Sequence, residues 1–112
     1  MKRTFVYSNK FDSKWKYELF SDENLRLLEL FLLVSPSVGD VVQGTGGLRK
    51  LRWQGLNTGK SGGIRVLYLD IPQADVVFMI DFFPKSEKDN LTTAERNFIR
   101  IIVEKIKKEY LK

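Results

Sequence analysis

The sequence predicts an α+β fold: an antiparallel sheet of about four strands with two N-terminal helices and one C-terminal helix. Three observations carry this. Helical periodicity occurs near both ends of the chain, and short β-prone runs separated by glycine or proline fill the middle. The last two runs are joined by four residues, Pro72-Gln73-Ala74-Asp75, a link that only an antiparallel hairpin accommodates. Helices at the ends and strands between them segregate into layers, as in α+β sandwiches. At 112 residues the chain forms one domain, 1–112, large enough to bury a core with little to spare.

Phe5-Val6-Tyr7 reads as the first strand. Residues 11–19 form a short helix, with Phe11, Trp15 and Leu19 at helical spacing. Ser21 caps the second helix, and Asp22 and Glu23 stand in its first turn, where the dipole favours acids. Leu25, Leu28, Phe31 and Leu32 form its apolar stripe, and Pro36 ends it near Val34. Residues 38–47, with Gly39, Gly44, Gly46 and Gly47, are a loop into a strand over 48–54. A second glycine-rich loop spans 55–63, and strands follow over 64–71 and 76–83. Thr92-Thr93-Ala94-Glu95 is a capping box opening a helix whose apolar face is Phe98, Ile99, Ile102, Val103, Ile106 and Tyr110. Lys105, Lys107, Lys108 and Lys112 crowd its end, where the dipole favours cations. That assignment needs no ligand and is preferred to a nucleic-acid-binding tail.

Composition removes whole classes of chemistry. Cysteine is absent, so the core stands without disulfides, as expected for a cytoplasmic protein. Histidine is absent too, which removes Ser-His-Asp and Cys-His nucleophiles, the usual general base and ordinary zinc sites. The chain has no apolar run long enough to span a membrane, and the charged residues Lys10, Asp12 and Lys14 come too early for a signal peptide. Acid–base work falls to Lys, Arg, Glu, Asp or Tyr.

The net charge of +5 is unevenly placed. Residues 1–40 carry six basic and six acidic side chains, and residues 70–112 carry eight of each. Residues 41–69 carry Arg49, Lys50, Arg52, Lys60 and Arg65 and no acid, so the whole excess lies there. An acid-free basic stretch framed by glycine-rich loops points to a phosphate-bearing partner rather than to a solvated surface. Gly59-Lys60-Ser61 is a decoy. The nucleotide-binding loop needs a glycine five residues before Gly59, where this chain has Gln54, and it opens into a helix rather than a strand.

Alternation along a strand puts Lys50 and Arg52 on one face, about 6.5–7 Å apart, and Leu51 and Trp53 on the other. If strands 48–54 and 64–71 pair across the second glycine loop, Arg65 comes beside Arg52 or Lys50. Cations crowded on one sheet face mark an anion site. The competing reading is a sheet edge made basic for solubility.

Three blocks of sequence then resemble a known family. They are Gly39-Asp40-Val41-Val42-Gln43-Gly44-Thr45-Gly46-Gly47-Leu48-Arg49-Lys50-Leu51-Arg52, Gly59-Lys60-Ser61-Gly62-Gly63-Ile64-Arg65-Val66-Leu67-Tyr68, and Lys85-Ser86-Glu87-Lys88-Asp89-Asn90-Leu91-Thr92. In order and content they resemble the HigB branch of the RelE toxin superfamily, over about two thirds of the chain. The resemblance implies a ribosome-dependent messenger-RNA endoribonuclease that needs no metal or cofactor. It also implies neutralisation by a cognate helix-turn-helix (HigA-like) antitoxin, DNA being met only through that antitoxin. Carried over by position, Lys50, Arg52, Arg65, Lys85 and Glu87 are the catalytic candidates, and Arg49, Lys60, Phe83 and Lys88 the RNA-binding ones. Lys50 is the first candidate for the base, Lys85 the second and Glu87 the third. Arg52 and Arg65 are placed to meet charge on the phosphorane. Two departures matter: where the family often carries Tyr before the last block, this chain has Phe82-Phe83-Pro84 and no hydroxyl, and within that block Ser86 replaces an Asn. A ParE-like toxin acting on gyrase and a non-catalytic nucleic-acid-binding module are the alternatives.

Overall fold

The computed structural model describes residues 2–17, 21–54, 63–85, 87–88 and 90–111. Strand β1 (Thr4–Tyr7) leads into helices α1 (Asn9–Tyr17) and α2 (Asp22–Val34). Strands β2 (Asp40–Val41), β3 (Arg49–Trp53), β4 (Ile64–Ile71) and β5 (Val76–Pro84) follow, and α3 (Thr93–Tyr110) closes the chain.

The helix boundaries follow their caps. Ser8 starts α1 two residues earlier than apolar spacing suggests, because its Oγ accepts from Phe11 N at 3.0 Å and donates to Ile80 O at 2.6 Å. Ser21 caps α2 as expected, accepting from Asn24 N. The Thr92–Glu95 capping box forms with both of its hydrogen bonds. Between β4 and β5 the chain makes a single 3-10 turn and swings back through Asp75 at φ 54°, a left-handed conformation that Asp tolerates better than most residues.

The sheet corrects the expectation in two respects. Among the described residues it has five strands, in the order β1-β5-β4-β3-β2, and it is mixed. β1 pairs parallel with β5, Thr4 opposite Val76 through Tyr7 opposite Met79. The other neighbours are antiparallel, including the β3–β4 hairpin. A parallel partner more than seventy residues away leaves no local signature, and β2 is only two residues long inside a glycine-rich loop.

Each sheet face carries its own core. One is covered by α1 and α2, where Phe11, Trp15, Leu28 and Leu32 meet Leu51, Val66, Tyr68, Met79 and Phe82. The other is covered by α3, where Ile99, Val103 and Ile106 meet Leu48, Leu67, Leu69, Ile71, Ile80 and Phe83. Polar ties fix the periphery. Arg3 Nε donates to Asp70 Oδ1 at 2.8 Å, and this contact raises the arginine's pKa. Lys14 holds α1 to Asp81 at 2.9 Å.

Candidate active site

The first glycine-rich loop is built for packing. Thr45 is fully buried, and its Oγ1 donates to Val42 O at 2.6 Å and accepts from Leu48 N at 3.2 Å. Gly46 stands at φ 79° with the position of a Cβ 3.3 Å from Val103, and Lys107 donates to its carbonyl. The loop thus docks under the C-terminal half of α3. Lys107 and Lys108 stand in the last turn of α3, and Lys107 also makes this dock.

Upstream, Tyr68 organises the entry to β2. Its hydroxyl donates to Pro36 O at 2.8 Å and accepts from Gly39 N at 2.9 Å. Burial pushes its phenol pKa up, while the Gly39 hydrogen bond and the nearby Arg49 charge pull it down less strongly. Gly39 sits so close that a Cβ would lie 2.9 Å from the Tyr68 ring and 3.0 Å from Lys50 O. Arg49 grips the same segment, donating to Gly39 O at 2.7 Å and Ser37 O at 3.2 Å. Its register partner is Tyr68, so it stands on the α1–α2 face, away from Lys50 and Arg52. Arg49 is therefore occupied in holding the chain rather than placed in the expected RNA-binding surface.

Lys50 and Arg52 project from β3 on the α3 face, as alternation requires. They line a cleft of about 310 Å³ with Val38, Asp40, Leu51 and Asn90. Lys50 is half-buried, and Arg52 is exposed. Lys50 Nζ donates to Asn90 Oδ1 at 2.8 Å. Asp40 is the register partner of Lys50 across β2–β3. Arg65 is the register partner of Arg52 across β3–β4, and on its other side faces Phe83. The predicted convergence of Arg65 on Arg52 is thus present, but the two differ in access: Arg65 is only 2% exposed. A buried guanidinium needs partners within the fold, and among the described residues no buried side-chain nitrogen or oxygen lacks one.

The segment after β5 crosses this face. Lys85 N bonds to Gly63 O at 3.2 Å, placing the exposed Lys85 at the β4–β5 end of the sheet. Lys88 lies 5.1 Å from the Phe83 ring centroid and pairs with Glu95. That contact, with a smaller share from Thr92, lowers the pKa of Glu95. Asn90 then reaches Lys50. Phe83, expected to stack on a base, is instead a core residue, 3% exposed beneath Lys88. Glu87 and Lys88 line a separate groove of about 490 Å³ with Lys10, Lys14, Asp81 and the apolar residues of α3 and β5. Neither lines the Lys50–Arg52 cleft. Lys60, like most of the second glycine-rich loop, lies outside the described residues. Gly59-Lys60-Ser61 lies outside the described residues as well, and the next described element is the strand from Ile64.

Asp40 and Asn90 are site residues that sequence reasoning passed over. Asp40 stands one position before the acid-free stretch, and only the β2–β3 register brings it opposite Lys50. Asn90 is drawn in by the path of the segment before α3.

No protein-family model matches the chain. Two solved structures resemble it along most of their length. The first is an arginine-to-alanine double mutant of the E. coli toxin RelE in the free state, 17% identical with a TM-score of 0.57, over 93% of this chain and 98% of that one. The second is the intact E. coli RelBE toxin–antitoxin complex, 19% identical with a TM-score of 0.56, over 75% of this chain and 96% of that one. The fold is the RelE-type toxin fold. On it, the cleft of Lys50, Arg52, Asp40 and Asn90 opens on the same sheet face that α3 covers, beside the apolar floor of that helix. Among the described residues of this chain no helix is long and apolar enough to cross a membrane.

Proposed function

We propose that this chain is the toxin of a toxin–antitoxin pair, and that it inhibits translation by cutting messenger RNA on the ribosome. The observation that carries the proposal is the open basic cleft at Lys50 and Arg52, backed by Arg65, on a RelE-type fold. Lys50 and Arg52 suit one phosphodiester: an ammonium as a point charge and a planar guanidinium that reaches two oxygens at once. The reaction is attack of the RNA's own 2′-hydroxyl on the adjacent phosphorus, with charge on the phosphorane met by Arg52. Buried Arg65 adds its field from below, fixed in place before substrate arrives. The proton acceptor is one of the groups lining the cleft. Such a reaction needs neither metal nor cofactor. Lys85, at the end of the sheet, extends the basic track along which RNA would run. The partner expected to silence the site is a helix-turn-helix antitoxin of the HigA kind.

The test is induced expression of the wild type, Lys50→Ala and Arg52→Ala, reading growth and mapping messenger-RNA 5′ ends. Growth arrest with new cuts within reading frames, relieved by either substitution, is the expected result. Arrest without cuts would move the target to gyrase, as for a ParE-like toxin. No arrest from a folded wild type would leave a non-catalytic nucleic-acid-binding module.

A further inference from the structure

Among the described residues, one carboxylate lines the cleft, that of Asp40. Asp40 and Lys50 are directly opposed on the antiparallel β2–β3 pair, so their side chains share a face with Cβ atoms about 4.5–5.5 Å apart. Both line the cleft, and Lys50 Nζ donates to Asn90 Oδ1. Asp40 is exposed, as a group that meets substrate must be. An ammonium carries three donors and no acceptor, whereas an ionised carboxylate only accepts. Of the two facing groups, the carboxylate is suited to be the base and the lysine the acid.

Resting on the ribonuclease reading above, we infer that Asp40 is the catalytic base and that Lys50 is the acid opposite it. Asp40 takes the proton of the 2′-hydroxyl, and the electron pair released on the 2′-oxygen forms a bond to the adjacent phosphorus. The bond from phosphorus to the 5′-oxygen breaks with its pair on that oxygen, which receives a proton from Lys50 Nζ. The products are a 2′,3′-cyclic phosphate and a 5′-hydroxyl. The protein is left with a protonated Asp40 and a neutral Lys50 amine. Proton return from Asp40 to Lys50, its neighbour across the strand pair, restores both. The base therefore lies outside the acid-free stretch that marks the site in the sequence.

The experiment compares wild type, Asp40→Asn, Asp40→Ser and Asp40→Glu in cleavage of ribosome-bound messenger RNA. Binding to the same complex carrying a 2′-deoxynucleotide at the scissile position is measured in parallel. Asp40→Asn and Asp40→Ser are expected to cut about 10²–10⁴-fold more slowly, the usual contribution of a positioned base. They should bind the deoxy complex at least as tightly as wild type, since a negative charge near phosphate has been removed. Asp40→Glu should recover part of the rate. Cleavage by Asp40→Asn within about threefold of wild type would overturn the assignment of Asp40 and leave the ribonuclease reading intact. A loss of cleavage matched by an equal loss of binding would do the same. A folded wild type that cuts nothing would overturn the ribonuclease reading and this inference with it.

Discussion

Replacing Tyr68 by Phe tests how the site is held. The phenol is fully buried, and its hydroxyl serves two buried backbone groups, Pro36 O and Gly39 N. Removing one oxygen strands a carbonyl and an N–H together. Each unsatisfied buried group costs about 1–3 kcal/mol. With some relaxation, the pair together is expected to cost about 2–4 kcal/mol. For a chain of this length the entropy of unfolding near the midpoint makes about 1 kcal/mol equivalent to about 4 °C, so the Tm should fall by about 8–16 °C. The measurement is thermal unfolding followed by circular dichroism, with urea titration to check that the m-value is unchanged. Because residues 36–39 lead directly into Asp40, the variant should also cut RNA more slowly at a temperature where it is fully folded. A loss below about 0.5 kcal/mol would refute the reasoning. It would mean that Arg49, which grips the same segment, holds it without help from the phenol.

Gly39→Ala should destabilise by a similar amount, because its Cβ would collide with the same ring. Combined with Tyr68→Phe the two losses should fall short of additive, which a double-mutant cycle measures. Arg52→Ala should lower RNA affinity and reduce the slope of log affinity against log salt by about 0.7, the value for one phosphate contact on a single strand. Equal slopes in the two proteins would remove Arg52 from the phosphate path. Phe83→Ala should cost about 3–5 kcal/mol of stability, as for any large core aromatic. A binding defect in a variant of undiminished stability would restore it to the RNA surface. Burial raises the pKa of Tyr7 and of Tyr68, with Glu29 adding to the rise at Tyr7. A raised folded-state value contributes stability that is fully present below the unfolded tyrosine pKa near 10 and is lost above it. Unfolding free energy should therefore hold up to about pH 10 and fall beyond, and Tyr7→Phe should make that fall shallower.

What the sequence made legible was local. Ser21, Thr92 and Glu95 announced their caps, and the spacing of Leu25, Leu28 and Leu32 placed α2 to within a residue. Lys50 and Arg52 could be put on one face because alternation is a property of any strand. What stayed hidden depended on pairing between distant segments. No pattern in Thr4–Tyr7 says that its partner is β5 and parallel. Arg65 carried the same signal as Arg52, yet one is buried and the other open. Phe83 looked like a substitute for a missing tyrosine, but Lys88 and α3 enclose it. Asp40 was concealed by the charge count itself: the acid-free stretch 41–69 begins one residue after the acid that faces Lys50.

The placement of the cleft follows from how α3 finds its floor. The helix must bury Ile99, Val103 and Ile106, and on this face β4 offers Leu67, Leu69 and Ile71 in sequence. β5 adds Ile80 and Phe83, and the approach to β3 adds Leu48. Toward the other end of the same face the residues change to Lys50 and Arg52 on β3 and to Arg65 on β4. An apolar helix gains nothing by lying over them, so α3 runs along the apolar half. Among the described residues the segment before it reaches the basic half, with Asn90 set against Lys50. The boundary between core and cleft is thus written in two neighbouring strands, in the order of residues on one face. Moving it should need only a change of those residues: Lys50→Leu with Arg52→Leu would extend the apolar floor. That variant should be at least as stable as wild type by urea unfolding while losing all RNA binding. A double variant that unfolds more easily would show that the cations hold up the fold as well as the cleft.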